Sequence, residues 1–192
     1  MIELNKAILP ESVNVSGKFY RIKTSFKYWL RFLELVEKHE ENPYSFDFLY
    51  ENEKPLERIK GFFALLAFCT PKSILPRQLG GKTDEKIIDY TIDADYIYSA
   101  FYEQYKIDLL TSNMHWYKFQ ALFKGLHDTK LNEIIGYRLY KFAGKKKSDF
   151  DKEMEQLRRA WELPKNDNEE DEALVRFESL LYGSTNVSQS KK

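Results

Sequence analysis

Apolar residues recur along most of this chain at spacings of three and four, the period of a helix buried on one side. The first 23 residues are the exception. There Val13 and Val15 alternate with polar neighbours, and Phe19, Tyr20 and Ile22 follow Ser16-Gly17-Lys18. A period of two predicts a pair of short strands, and Gly17 supplies the positive φ of a tight hairpin turn. Pro10 suits the start of an edge strand. From Phe26 onward the period lengthens. Phe26, Trp29, Leu30, Leu33 and Val36, with Phe32 flanking, predict a helix capped by Thr24 or Ser25 and ended before Pro43. A second helix is predicted over 55–68, with Leu56, Ile59, Phe62, Phe63 and Leu66 as its apolar face. Pro55 is tolerated in a first turn, and Gly61 weakens the helix. Pro71 and Pro76 break the chain, and the stretch 77–83 reads as a loop.

The central and later helices are written more densely. Asp93 predicts the cap of a helix running to Tyr105, with Ile97, Ala100 and Phe101 on one face and Tyr98, Tyr102 and Tyr105 broadening it. After a break at 106–108, Trp116, Phe119, Leu122, Phe123 and Leu126 define one buried face, with Trp116 and Phe119 in the core. Leu131, Ile134, Ile135, Leu139 and Phe142 predict the next helix, ended by Gly144 and favoured by Lys141 near its C-terminus. Asp108 and Arg138 are the candidates for a buried ion pair. Ser148 with Asp151 resembles a capping box. It opens a helix in which Phe150, Met154, Leu157 and Trp161 make a narrow stripe at spacings 4, 3 and 4, with charges around it. Such a stripe suits one neighbouring helix, either within this chain or on a partner. Pro164 stops that helix. A charged linker over 165–172 leads to a short predicted helix over 171–182, carrying Leu174, Phe177, Leu180 and Leu181, and to a polar tail expected to be disordered. The fold class is therefore mainly α: a single helical domain over 1–163 with a short N-terminal β-hairpin, and a C-terminal helical appendage over 164–192.

Composition sharpens this picture. With 43% hydrophobic residues, 14 Phe and 13 Tyr among 192, the chain can build a real core. Its 30 Lys+Arg balance 30 Asp+Glu, which excludes the strongly basic profile of a non-specific nucleic-acid binder. The single cysteine, Cys69, excludes a disulfide framework and a Cys-based zinc site. The longest apolar run, 62–69, is far short of a membrane span, and the opening Met-Ile-Glu-Leu-Asn-Lys carries no apolar signal segment.

Candidate chemistry is sparse. Gly80-Gly81-Lys82-Thr83 ends like a phosphate-binding loop, but Pro76 stands where its first glycine belongs. His39, His115 and His127 have no helical metal-ligand spacing. Asp93 and Asp95, two apart on a helix, point to different faces. Cys69 reads as a small core residue. The lysines at 141 and 145–147 are followed at once by Asp149, Asp151, Glu153 and Glu155, which fits a solvated connection. The expectation is a protein that is not an enzyme and takes no cofactor and no metal.

One resemblance carries a function. The runs Asp93-Ala94-Asp95-Tyr96-Ile97-Tyr98-Ser99-Ala100-Phe101, Tyr105-Lys106-Ile107-Asp108-Leu109 and Met114-His115-Trp116-Tyr117-Lys118-Phe119 resemble the bacteriophage gene product fifteen family of tailed phages and prophages of Gram-positive bacteria. So do Leu9-Pro10-Glu11-Ser12-Val13, Gly17-Lys18, Thr24-Ser25-Phe26, the stretch from Leu122 to Gly125-Leu126, Ile134-Ile135 and Tyr137-Arg138. Lys106 stands where the resemblance leads one to expect glycine. The similarity spans about residues 7–163 and brings no catalytic residues. The family's usual gene position, between the major tail protein and the tape measure, implies a tail assembly chaperone in the host cytoplasm, the second of a pair. Its implied partner is the tape measure protein or the companion chaperone, with no nucleic acid and no membrane, and with an oligomer possible. The stripe Phe150/Met154/Leu157/Trp161 is the candidate partner surface, with Leu174/Phe177/Leu181 second. The alternative is a structural virion component, a tail completion or connector protein.

Overall fold

The structure, a computed structural model, describes residues 2–6, 8–70, 86–144 and 146–164. The chain divides into two compact units, Met1–Glu162 and Leu163–Lys192. The loop expected over 77–83, the short helix over 171–182 and the polar tail lie outside the described residues. The architecture is mainly α: an N-terminal hairpin followed by helices.

Strands β1 (Ser12–Val15) and β2 (Lys18–Arg21) pair antiparallel with Val15 opposite Lys18. The two-residue turn Ser16-Gly17 has φ of 51° and 88°, the doubly positive conformation of a type I′ hairpin. Asn14 Oδ1 accepts the Gly17 N–H at 3.0 Å and closes it. Val13 and Val15 are buried in the core, while Asn14 and Phe19, facing each other across the strands, lie on the solvent side.

Helix α1 (Phe26–Glu37) buries Phe26, Trp29 and Phe32. Phe32 is therefore a core residue and not a flank, and Leu33 and Val36 are only half-buried. Ser25 holds the N-cap position, but its side chain makes no capping bond. The Phe26 N–H donates instead to the Met114 carbonyl at 2.9 Å, and the Trp116 N–H donates to the Thr24 carbonyl at 2.7 Å. The starts of α1 and of α4 (Trp116–Gly125) thus satisfy each other's unpaired amides. His115 completes this junction. Its Nδ1 accepts from the Tyr117 N–H at 3.0 Å, which leaves Nε2 to donate to the Pro10 carbonyl at 3.0 Å. This is a neutral imidazole, and burial holds its pKa below the ordinary value.

A 3-10 helix, Pro43–Leu49, is not announced by the sequence pattern; it buries Phe46 and Leu49. It changes the outlook for α2 (Arg58–Cys69). The expected helix over 55–68 starts only at Arg58, and its expected apolar face holds only in part: Phe62 and Leu66 are half-buried against the core, whereas Leu56, which precedes the helix, is 96% exposed, Ile59 63%, and Phe63 also faces solvent. Gly61, Leu65, Phe68 and Cys69 are buried instead. Tyr50 and Pro55 come in against Gly61 so closely that an added Cβ would stand 2.8 Å from the Tyr50 hydroxyl and 2.7 Å from Pro55 Cγ. Glycine here is the contact point, and it turns the helix away from its apparent stripe. Burial pushes the Cys69 thiol up to about 12, which leaves it inert as a nucleophile.

Helix α3 (Ala94–Tyr105) buries Ile97, Ala100 and Phe101, as its spacing predicts. It ends at Lys106 with φ 56°, in the left-handed region. The resemblance leads one to expect glycine at this position, and the backbone supplies the reason. Lys106→Gly should stabilise the protein by about 0.5–1 kcal/mol, the relief of left-handed strain less the added freedom of the unfolded chain. A rise in the urea midpoint at unchanged slope checks this.

Helix α4 buries Trp116 and Phe119. Phe119 stacks between Phe26 and Phe101, with ring centroids at 4.7 and 5.2 Å and planes within 7° of parallel. The Trp116 indole N–H and the Gln120 amide both donate to the Cys69 carbonyl, at 2.9 and 3.0 Å, and so cover the end of α2. Helix α5 (Lys130–Leu139) opens with a capping box between Thr129 and Asn132. It does not reach Gly144. Tyr140 takes extended backbone, Leu139 is exposed, and Phe142 lies beyond the helix. The apolar pattern overran the helix because Arg138, not Phe142, continues its buried face.

Candidate partner-binding surface

Helix α6 (Asp149–Trp161) starts at the capping box that Ser148 and Asp151 predict. Ser148 Oγ accepts from the Asp151 N–H at 3.2 Å, and Asp151 Oδ2 accepts from the Ser148 N–H at 2.7 Å. Asp149 and Asp151 in the first turn and Arg158 and Arg159 in the last complement the helix dipole. The bonds from Ser148 and Tyr140 hold the Asp151 carboxyl below its ordinary pKa. The same bond, Tyr140 hydroxyl to Asp151 at 2.5 Å, pushes the phenol up to about 12.

The helix packs along α5. Met154, Leu157 and Trp161 are half-buried and Phe150 is 64% exposed, so the stripe is covered in part by this chain's own fold. Phe150 meets only the edge of Tyr140, with centroids 6.5 Å apart. Trp161 meets Tyr96 edge-on at 5.6 Å, and the Lys130 ammonium lies 5.9 Å from its ring. Lys147, in the basic stretch before α6, pairs with Glu155 of the helix, and Lys152 pairs with Asp149 within it.

The junction under α6 is polar. Arg138 lies on the buried side of α5 with Leu131 and Ile134. Its guanidinium grips the Asp93 carboxylate in two bonds, at 2.7 and 2.8 Å. It also donates to the Ile87 carbonyl at 2.8 Å and, through Nε, to the Trp161 carbonyl at 2.7 Å. Asp93 is 1% exposed and Arg138 9%. Two expectations are corrected here. Asp93 makes no cap bond to α3, because its carboxylate turns inward to Arg138 and to the Asp89 N–H at 3.0 Å. Asp108 is not the partner of Arg138; it accepts the Leu110 N–H at 2.8 Å and closes the turn after α3. The signal that could have found the pair is the spacing Leu131, Ile134, Arg138, which sets an arginine on an otherwise apolar face.

The other candidates fall into structural places. His127 lies exposed at the end of α4, its Nδ1 2.9 Å from the Gly125 carbonyl. Asp93 is buried and Asp95 exposed, so the two carboxylates do not form a pair. Among the described residues, no group of three or more His, Cys, Asp or Glu is placed to hold a metal ion, and no helix is long and apolar enough to cross a membrane. Gly80-Gly81-Lys82-Thr83 lies outside the described residues.

A family model described as bacteriophage Gp15 protein matches residues 5–163. The chain belongs to the bacteriophage Gp15 protein family. The match takes in the hairpin and the six α-helices of the described residues, α6 included, so the junction around Arg138 lies within the family's shared region. Membership gives the chain a structural or assembly-related role in a phage. No curated protein and no solved structure matches it.

Proposed function

We propose that this Gp15 family member is a non-enzymatic tail assembly chaperone that keeps the tape measure protein soluble until the tail tube encloses it. The observation that carries the reading is α6: an amphipathic helix within the family region that buries none of its residues and leaves Phe150 exposed at its start. A tape measure is a long helical chain with an apolar stripe, and such a stripe aggregates until it is covered. Covering it takes no cofactor. It takes an apolar helical face with a polar rim, which Met154 and Leu157 offer among Lys152, Glu153 and Gln156. The partner is the tape measure itself or the companion chaperone, met in the host cytoplasm.

Co-expression with tape measure fragments tests this surface. The wild type should capture a fragment, and Phe150→Asp/Leu157→Asp should lose most of that capture. Phe150 lies in the first turn, where an aspartate is favourable, so the variant keeps its helix start. Circular dichroism and a single cooperative urea transition check the fold. Undiminished capture by the folded variant would remove α6 from the account.

A further inference from the structure

We propose that α6 is a releasable latch: it opens from α5 as a unit while the hairpin and α1–α5 stay folded, and opening frees Met154, Leu157 and Trp161 for a partner's helix. The proposal deepens the α6 reading above and rests on it for the identity of what binds. The latch itself follows from how the helix is held. Each of α1 to α5 contains at least three buried residues, whereas α6 contains none. Its apolar hold is by the half-buried Met154, Leu157 and Trp161 and by no fully buried side chain, and elements anchored in this way open at free energies below that of global unfolding.

Two polar tethers stand at the two ends of the helix. Arg138 reaches the Trp161 carbonyl at one end, and the Tyr140 hydroxyl reaches Asp151 at the other. Breaking the first strands no buried charge, because Arg138 keeps both bonds to Asp93 and its bond to the Ile87 carbonyl. Breaking the second exposes two groups that water can serve, since Tyr140 and Asp151 are only half-buried. The capping box between Ser148 and Asp151 travels with the helix, so its start is independent of α5. At 13 residues, a released α6 is at the length where an isolated helix is marginal in water. It frays unless another apolar helix takes the place of α5. Docked, it shields the half-buried stripe; displaced, it offers that stripe to an incoming chain.

Hydrogen exchange of the full chain, followed by mass spectrometry without any partner, tests the latch. Amides of α6 beyond its first turn should exchange at least roughly tenfold faster than those of α3 and α4. Sub-denaturing urea should accelerate the α3 and α4 amides much more steeply than those of α6, since local opening exposes little surface. Tyr140→Phe, which removes one tether and leaves the core intact, should speed exchange in α6 alone. Exchange of α6 in step with α3 and α4, with the same urea slope, would overturn the proposal, as would an α6 indifferent to Tyr140→Phe. Loss of the latch would leave tape measure capture to be judged on its own, and failed capture would leave the exchange result standing.

Discussion

Arg138→Ala should destabilise the protein by about 3–5 kcal/mol, the usual cost of breaking a buried ion pair from one side. The change strips the buried Asp93 carboxylate of its guanidinium and leaves it the Asp89 N–H, and it releases the Ile87 and Trp161 carbonyls as well. The loss is one of desolvation more than of attraction, because a carboxylate that is 1% exposed has no water to turn to. A double variant separates the two. Arg138→Met/Asp93→Leu removes both charges and fills the space with apolar volume, so it should recover most of the lost stability. Urea unfolding of the wild type, Arg138→Met, Asp93→Leu and the double closes the cycle. A cost below about 1 kcal/mol for Arg138→Ala would mean that the pair is hydrated and does not organise this junction.

Phe119→Ala should be comparably costly, about 3–5 kcal/mol, the range for deleting a core aromatic. Phe119 is 1% exposed and lies between Phe26 of α1 and Phe101 of α3, with the rings of Trp116 and Phe123 at 5.7 and 5.9 Å. One side chain thus joins three helices, and its removal opens a cavity that rigid rings on every side cannot collapse to fill. The two variants differ in what they disturb. Phe119→Ala weakens the union of α1, α3 and α4, whereas Arg138→Ala loosens α3, α5, the segment before α3 and the end of α6. An unfolding free energy from urea for Phe119→Ala within about 1 kcal/mol of wild type would place the core elsewhere.

Where local pattern and tertiary contact agree, the sequence was readable. Ile97, Ala100 and Phe101, and then Trp116 and Phe119, lie where a 3.6-residue period puts them. The hairpin follows from alternation plus Gly17, and the start of α6 from Ser148 and Asp151. The misreadings have distant causes. The face of α2 is set by Tyr50 and Pro55 closing on Gly61, and the helical period within 55–68 carries no trace of that approach. Ser25 looks like a cap, but its side chain makes no cap bond, and the first amide of α1, that of Phe26, is taken by the Met114 carbonyl. Asp93 looks like a cap for the same reason, and it is claimed by an arginine 45 positions away. As for the partner surface, the narrow stripe of α6 was legible, but its half-burial along α5 was not. That burial depends on where Arg138 and Tyr140 place the helix, which spacing alone does not encode.

The most direct test of the chaperone role is the solubility of the tape measure protein produced with and without this chain, at matched expression, followed by the composition of purified virions. The account predicts a tape measure that is largely insoluble alone, soluble and co-purifying when the wild-type chain is present, and virions that lack the chain. A tape measure whose solubility is unchanged by the chain, together with virions that retain it, would contradict the chaperone role and make this protein a structural part of the tail.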